Sequence, residues 1–268
     1  MHPLLFQLGV LKLHTYGLMI VIGFLLGLYL IRRQAVLQGL DPDRLVDMAF
    51  WGLAFGLLGG RIVYIITRLD YFSDHPMEIF YFWEGGLVFY GGFIGGAFAF
   101  WYFSRRYKIS ILKAMDLAVP SLAIAHMFGR FGCFFAGCCY GRPAINISWA
   151  IVFKDPLSLA PPGIPLHPTQ LYDALNALII FTVTFLVQRR QKFTGQLLAL
   201  YMIMYSVGRS IVEVYRGDTI RGFVIDPWLS TSQFISILVF ALGVYLYIRW
   251  SKTRALSAQP ARGTGKKK

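Results

Sequence analysis

The amino-acid sequence predicts an all-α, polytopic membrane protein with about seven transmembrane helices. Of its 268 residues, 56% are hydrophobic and only 15% are charged, and the mean hydropathy of +0.56 is too high for a soluble domain. The apolar runs have lengths near the ~20 residues that a helix needs to cross a bilayer. In chain order the predicted spans are 16–31, 46–66, 87–103, 114–135, 170–187, 196–215 and 231–250.

The positive charges indicate how these spans are oriented. The chain has 26 Lys and Arg residues and a formal net charge of +13. Seventeen of the basic residues fall in loops on one side of the predicted spans, six fall on the other side and three fall within spans. The positive-inside rule places the richer side in the cytoplasm, so we expect the N-terminus outside and the C-terminus inside. Basicity that sets topology in this way argues against a nucleic-acid partner.

The loops divide the chain into a transmembrane domain, 1–250, and a basic tail, 251–268, which we expect to be disordered and attracted to anionic headgroups. No cleaved signal peptide is expected, because the first fifteen residues carry only Lys12 and no small-residue cleavage site follows. The longer outer loops are 67–86 and 138–168. Six prolines and a strand-like stretch, Trp149–Phe153, predict a small ordered periplasmic cap in the second loop. Glycine pairs at 59–60, 91–92 and 95–96 predict close helix packing.

Three arginines lie within the predicted spans. Arg61, Arg130 and Arg209 are each a functional-site hypothesis, because a charge in the bilayer costs roughly 2.5 to 3.5 kcal/mol on insertion scales. The predicted topology brings polar side chains from six spans to the same outer depth. They are Tyr16, Arg61, Tyr90, Arg130, His167, Gln170, Tyr172, Arg209, Glu213 and Arg216.

Span six carries the densest polar stripe. Its members are Tyr205, Arg209, Glu213 and Arg216, whose spacing of four, four and three keeps them on one helix face. Arg209 and Glu213 could form a buried ion pair. At this depth, however, the four arginines outnumber the candidate anions, which are Glu84, Glu213 and Asp173. An arginine fork suits phosphate, so the surplus charge predicts an anionic phospholipid headgroup as ligand.

The end of span four combines glycines, a histidine and three cysteines. The stretch from Gly129 and Gly132 on to Gly137 and Gly141 is expected to break the end of this helix, and an open backbone at membrane depth indicates that it is buried in protein or lines a cavity. His126, one turn before Arg130, fits either packing or the site. The cysteines, Cys133, Cys138 and Cys139, fit packing thiols, a disulfide or a chemical role. Because structural zinc sites need four ligands, no metal is expected.

These motifs together resemble those of the bacterial phosphatidylglycerol:prolipoprotein diacylglyceryl transferases, along nearly the whole chain. The matching segments are Tyr16-Gly17, Gly60-Arg61 with Tyr64, Glu84-Gly85-Gly86-Leu87-Val88-Phe89-Tyr90-Gly91-Gly92, Gly129-Arg130-x-Gly132 with Gly137 and Gly141, His167-Pro168-Thr169-Gln170-Leu171-Tyr172, and Tyr205-x-x-x-Arg209 with Glu213 and Arg216.

The resemblance implies transfer of the diacylglyceryl group of phosphatidylglycerol to the lipobox cysteine thiol of a prolipoprotein signal peptide. A thioether forms and glycerol phosphate is released. The enzyme would act as a monomer in the bacterial inner membrane, with its site toward the periplasm and no cofactor. Arg130 and Arg209 would hold the phosphate, with Glu213 orienting Arg209. The other implied substrate-binding residues are Tyr16, Arg61, Gly91, Gly92, Gly129, Gly132, Gln170, Tyr205 and Arg216.

The sequence departs from the family at three positions. Tyr90 stands where the family commonly has histidine, and Cys133 and Cys138 stand where asparagine and glutamate are common. Tyrosine, with a pKa of about 10, is a poor base at neutral pH. The candidates for the base are therefore Tyr90, His126 and His167, or the arginines act through electrostatics alone.

Two other classes of function also fit part of the pattern. A transporter or flippase of an anionic lipid would also place arginines in a membrane cavity, but it predicts polar residues that continue to the inner face. A thiol oxidoreductase would use the three cysteines, but the sequence lacks a C-x-x-C pair.

Overall fold

The structure is a computed structural model that describes residues 2–8, 11–81, 85–145, 147–217, 222–225 and 228–257. Helices dominate it, as predicted. The α-helices are α1 (Thr15–Leu37), α2 (Pro42–Ile66), α3 (Leu69–Asp74), α4 (Phe89–Arg106), α5 (Ile111–Ala136), α6 (Thr169–Gln188), α7 (Gln196–Val214) and α8 (Thr231–Ser257), and a 3-10 helix covers Pro76–Phe80. Three short antiparallel hairpins pair β1 (Leu4–Leu8) with β2 (Leu11–His14), β3 (Ile151–Val152) with β4 (Pro165–Leu166), and β5 (Phe223–Ile225) with β6 (Leu229–Ser230).

Six of the described helices are long and apolar enough to cross a membrane. They are α1, α2, α5, α6, α7 and the Thr231–Thr253 part of α8. The third predicted span corresponds to α4, which is helical but is not one of the six. The polytopic all-α class is confirmed, whereas the count of seven and the orientation stay predictions.

The chain divides into two compact units. One comprises Met1–Gly27 and Ala118–Lys268, and the other comprises Leu28–Leu117. In the second unit α2 begins with an Asp41 cap, whose carboxylate accepts the backbone N–H groups of Asp43 and Arg44. This side chain satisfies backbone donors that the first helical turn leaves unpaired.

Glycines bring α2 and α4 into backbone contact. A Cβ atom built on Gly59 would lie 2.4 Å from the Gly91 carbonyl oxygen, and one built on Gly95 would lie 2.1 Å from that of Phe55. Side chains larger than hydrogen would therefore push the helices apart. The predicted role of these glycines in close helix packing is confirmed.

In the first unit, α7 packs against both α6 and α8. The proline-rich segment between α5 and α6 is ordered around a small buried cluster of Phe153, Ala160 and Leu166. This agrees with the predicted cap, although the strand covers only Ile151–Val152. The N-terminal hairpin was not predicted. Residues 258–268, the larger part of the predicted tail, lie outside the described residues, as does Glu84.

Two local predictions were wrong in part. Of the glycines expected to break the end of the helix, Gly129 and Gly132 do not open the backbone, because α5 continues through them to Ala136. They are instead small packing positions, and a Cβ on Gly132 would lie 3.0 Å from the Tyr16 ring. The helix ends at Gly137, whose φ of 74° suits a left-handed cap. Likewise, α7 ends at Val214, so Arg216 lies beyond the helix that was expected to carry it.

Candidate active site

Arg130 is held by two neighbours that fix its guanidinium near the end of α5. Its Nε donates to Nε2 of His126, one turn earlier, at 3.1 Å. Its Nη1 lies 3.3 Å from a carboxylate oxygen of Asp173 on α6, and this carboxylate is almost fully buried. The arginine side chain is 18% exposed. Neither of these two contacts uses Nη2.

Arg209 forms the second cationic centre, on α7. Its Nη2 lies 2.6 Å from a carboxylate oxygen of Glu213 and donates to Ser232 at 3.0 Å. The Ser230 hydroxyl donates to the other Glu213 oxygen at 3.1 Å. The ion pair that the spacing suggested is therefore present. Nη1 of Arg209 is buried and has no hydrogen-bond partner among the described residues, which is costly unless a ligand supplies an acceptor.

Both arginines belong to one electrostatic cluster. Asp173 and Tyr205 interact with Arg130 and also with Arg209. The Tyr205 ring lies 5.8 Å from that of His126, between centroids. The structure thus brings together Arg130, His126, Tyr205, Arg209 and Glu213 as predicted.

His167 lies in the same unit, on the segment that precedes α6. Its Nδ1 is 3.2 Å from the Tyr172 hydroxyl, which accepts a hydrogen bond from the Trp149 indole at 2.8 Å. Its ring also packs against Tyr215, at a centroid distance of 5.1 Å. Desolvation and the nearby Arg142 charge lower the pKa of His167 below its usual value. Its imidazole is therefore biased toward the neutral form that a base requires.

Gln170, for which a contact with substrate is predicted, bonds the backbone of the segment after α5. It is fully buried, and its side-chain amide donates to the Cys138 carbonyl at 2.7 Å. The preceding residue, Thr169, is also fully buried and donates to the Cys139 carbonyl at 2.8 Å. Together they fix the turn after α5. Oε1 of Gln170 lacks a hydrogen-bond partner within the described part of the chain.

Arg61 lies in the second unit, where it binds backbone carbonyl groups. Its guanidinium donates to the carbonyl oxygens of Glu78, Ile79, Gly85 and Gly86. It also lies 5.5 Å from the ring centroids of both Tyr64 and Phe72. This arginine therefore organises the segment that leads into α4, and its predicted contact with substrate stays a prediction.

The remaining predicted residues occupy contrasting positions. In the second unit Tyr90 is 61% exposed in the first turn of α4, and Gly91 packs against Gly59. In the first unit Tyr16 is 44% exposed beside Gly132. The backbone of Arg216 bridges Gly141, which fixes the segment after α7 to the segment after α5.

Sequence reasoning missed the two serines that complete the Arg209 site. Ser230 and Ser232 lie 17 and 23 residues from their partners. Residues so far apart in the sequence have no helical spacing from which their contact could be predicted. Trp149 was noticed only as part of a strand. Asp173 was named as a candidate anion, and its pairing with Arg130 across two helices needed the structure.

Comparison with known proteins shows where this chain belongs. Residues 3–249 match the family model described as prolipoprotein diacylglyceryl transferase. A phosphatidylglycerol–prolipoprotein diacylglyceryl transferase of Clostridium tetani is 39% identical over 247 residues, covering 92% of this chain and 97% of the relative. A second such transferase, from Clostridium perfringens, is 39% identical over 88% and 91% of the two chains. One from Streptococcus pneumoniae is 34% identical over 94% and 95%. This chain belongs to the prolipoprotein diacylglyceryl transferase family.

Proposed function

We propose that this protein transfers the diacylglyceryl group of phosphatidylglycerol to the thiol of a lipobox cysteine in a prolipoprotein signal peptide. This would be the first step of bacterial lipoprotein maturation, carried out by a monomer in the inner membrane with its site facing the periplasm. The relatives carry the same activity in their names. The proposal is also supported by the chemistry of the arginine cluster.

The observation that carries the proposal is that Arg130, which is 18% exposed, and the buried Arg209 each have guanidinium nitrogens that their ion pairs do not use. Asp173 lies beside Nη1 of Arg130, and Glu213 lies beside Nη2 of Arg209. Without these carboxylates, two isolated guanidinium charges in the membrane would be strongly destabilising. With them, Nη1 of Arg209 still lacks an acceptor among the described residues. A phosphate oxygen is a suitable acceptor because it combines negative charge with hydrogen-bonding lone pairs.

The same arrangement suits the reaction. The thiolate sulfur attacks the glycerol carbon that bears the phosphate, a carbon–sulfur bond forms, and the carbon–oxygen bond breaks with its electron pair going to the phosphate oxygen. Glycerol phosphate leaves with one more negative charge than the bound diester. Prepositioned donors at Arg130 and Arg209 would therefore bind the transition state more tightly than the substrate.

The residue that takes the thiol proton is proposed from position and protonation state. His167 is the candidate that we favour, since its imidazole is biased toward the neutral form and lies near Arg142, Tyr172 and Tyr215. His126 has its Nε2 committed to Arg130, which favours a supporting role. Replacing His167 with glutamine should slow transfer without preventing phospholipid binding.

The test uses the purified full chain with phosphatidylglycerol and a peptide that contains a lipobox cysteine. We expect the peptide mass to increase by one diacylglyceryl group and glycerol phosphate to appear in equal amount. A peptide with serine in place of the cysteine is the control and should not react. Movement of phosphatidylglycerol between leaflets with no peptide modification would instead support the transporter alternative.

A further inference from the structure

Three free thiols converge at the end of α5. The sulfur atoms of Cys133, Cys138 and Cys139 all lie within 4.8 Å of one another. Each cysteine is partly buried, and each is a free thiol. Three cysteines are too few for a structural zinc site, which needs four protein ligands. Zinc sites that act on a substrate have three protein ligands and keep the fourth position open.

The chain geometry explains how the thiols meet. Gly137 donates its N–H to the Phe134 carbonyl, and Cys138 donates its own to the Cys133 carbonyl, at 3.2 and 3.1 Å. These two bonds define a Schellman motif, which brings together the side chains of the fourth-last residue of the helix and the second residue after the helix. Here these residues are Cys133 and Cys138. Cys139 then adopts a φ of 61°, rare for a residue with a side chain, and its thiol joins the cluster.

The turn is held from outside by buried side chains. Thr169 and Gln170, both fully buried, bond the carbonyl groups of Cys139 and Cys138. The positions of the two thiols therefore do not depend on the loop alone. A metal site gains affinity when its ligands are already in place before the ion binds.

We propose that Cys133, Cys138 and Cys139 bind one Zn²⁺ ion whose fourth position accepts the thiolate of the substrate peptide. In a tetrahedral site with Zn–S bonds of about 2.3 Å, the sulfurs lie about 3.8 Å apart, so small rotations of these side chains suffice. Three thiolates around one Zn²⁺ carry a net charge of −1. Arg130, one turn before Cys133, interacts with this sulfur, and the Arg216 side chain lies within hydrogen-bonding reach of Cys139. Both cations offset that charge.

A disulfide is a weaker interpretation of the same cluster. Cys138 and Cys139 are adjacent and share a tight turn, a geometry that seldom permits a bond between them. Any other pairing leaves the third thiol reduced within reach of the disulfide and exposed to exchange. A three-thiolate ion site uses all three sulfurs at once.

The chemical role of the ion rests on the proposed function. When the lipobox thiol binds the fourth position, its sulfur gives its proton to the base, proposed above as His167, and remains as a zinc-bound thiolate. The sulfur lone pair then attacks the glycerol carbon, and the electron pair of the breaking carbon–oxygen bond leaves with glycerol phosphate. Zinc is neither oxidised nor reduced. This route supplies a thiolate even though this chain has Tyr90 where its family commonly has histidine.

The first experiment measures metal content directly. The full chain, purified in detergent with reductant and without chelator, should contain one zinc per chain by inductively coupled plasma mass spectrometry. Cys133→Ser, Cys138→Ser and Cys139→Ser should each reduce zinc to background. His75→Gln removes an exposed histidine of the second unit and should leave zinc content unchanged. Thermal unfolding of each variant shows whether it has folded.

The second experiment examines the open position without any lipid. The wild-type chain with Co²⁺ in place of Zn²⁺ should show sulfur-to-cobalt charge-transfer absorption and the visible bands of a tetrahedral ion. Adding the lipobox peptide should strengthen the charge-transfer band, and the serine peptide should not. Three results for the wild-type chain would overturn the proposal. They are binding of neither Zn²⁺ nor Co²⁺, binding of Cu⁺ alone, and a disulfide detected by intact mass.

The two proposals can fail separately. Zinc binding with a cysteine-specific cobalt spectrum, but no peptide lipidation, would support the metal site and reject the transferase assignment. Lipidation at an unchanged rate in folded, zinc-free protein would reject the role of zinc and leave the transferase intact. A cobalt spectrum that ignores the lipobox peptide would overturn the open fourth position.

Discussion

Glu213 lies 2.6 Å from Arg209, one helical turn earlier on α7, and both side chains are less than 10% exposed. Removing the charge of either residue leaves the other buried without a counterion, and burial of an unpaired charge is far more costly than burial of a pair. Ser230, at the end of β6, bonds Glu213, and Ser232, in the first turn of α8, bonds Arg209. These contacts therefore connect α7 to the segment at the start of α8, and they also fix the position of the Arg209 guanidinium.

The first prediction concerns this pair. Glu213→Gln should destabilise the protein by about 3–5 kcal/mol, because it leaves Arg209 as an uncompensated buried charge. Thermal or denaturant unfolding in detergent measures the loss. Glu78→Gln, at a partly exposed carboxylate that accepts a hydrogen bond from the Tyr71 hydroxyl, should change stability by about 0.5 kcal/mol or less. Equal effects of the two substitutions would show that the Arg209 charge is compensated in another way.

The second prediction separates catalysis from folding. Arg209→Lys and Arg130→Lys keep the charge but lose the planar fork, and each should lower kcat by roughly 10²–10³, the usual effect of losing one transition-state donor. The KM for phosphatidylglycerol should change much less. Arg44→Lys, at an exposed ion pair with Asp41, is the matched control. Full activity in Arg209→Lys would exclude a donor role for its guanidinium.

The third prediction tests the glycine contact between α2 and α4 with two adjacent residues. A Cβ on Gly95 would lie 2.1 Å from the Phe55 carbonyl oxygen, whereas one on Gly96 would lie 3.4 Å from that of Gly52. Gly95→Ala should therefore destabilise the chain by roughly 1–3 kcal/mol, as overpacked sites do. Gly96→Ala should be tolerated. Indistinguishable melting temperatures would mean that the helices separate at little cost.

The fourth prediction is a pH dependence at His167. Its pKa in the folded chain lies below the usual value of about 6.5, because of desolvation and the Arg142 charge. As pH falls through about 6.5, the unfolded chain takes up this proton first, so stability is lost on acidification. His167→Gln should lose less stability than wild type between about pH 8 and about pH 5.

Arg142→Gln provides the control for this effect. It removes the repelling charge while Tyr172 and Tyr215 still surround the imidazole. The acid-induced loss should become smaller but not vanish, since desolvation is the larger cause of the lowered pKa. Identical pH profiles for wild type and His167→Gln would contradict the prediction.

Local sequence patterns predicted the features that depend on a single helix. The spacing of Arg209 and Glu213 anticipated their ion pair, and the hydropathy runs anticipated each long helix. The same logic failed at Gly129 and Gly132, because glycine is tolerated within a membrane helix when a neighbour packs against it. Gly137, which belongs to the same predicted stretch, is the glycine at which the helix ends, with a φ of 74°.

Contacts between distant segments could not be predicted from spacing. The Arg130–Asp173 pair joins two helices, and Ser232 reaches Arg209 from a third. The convergence of the cysteines depends on the positive φ of Cys139, a backbone choice that residue type does not indicate. These features come from tertiary packing, which overrides local preference.

The carbonyl contacts of Arg61 affect how mutational data on this chain should be interpreted. A lysine there would place all its donors on a single nitrogen atom, which cannot reach the separate oxygens of Glu78, Ile79 and Gly85 at once. Inactivity of Arg61→Lys would thus be expected even if no phospholipid ever touched this residue. An essential arginine in a scan of this protein is therefore not, by essentiality alone, a ligand of the substrate.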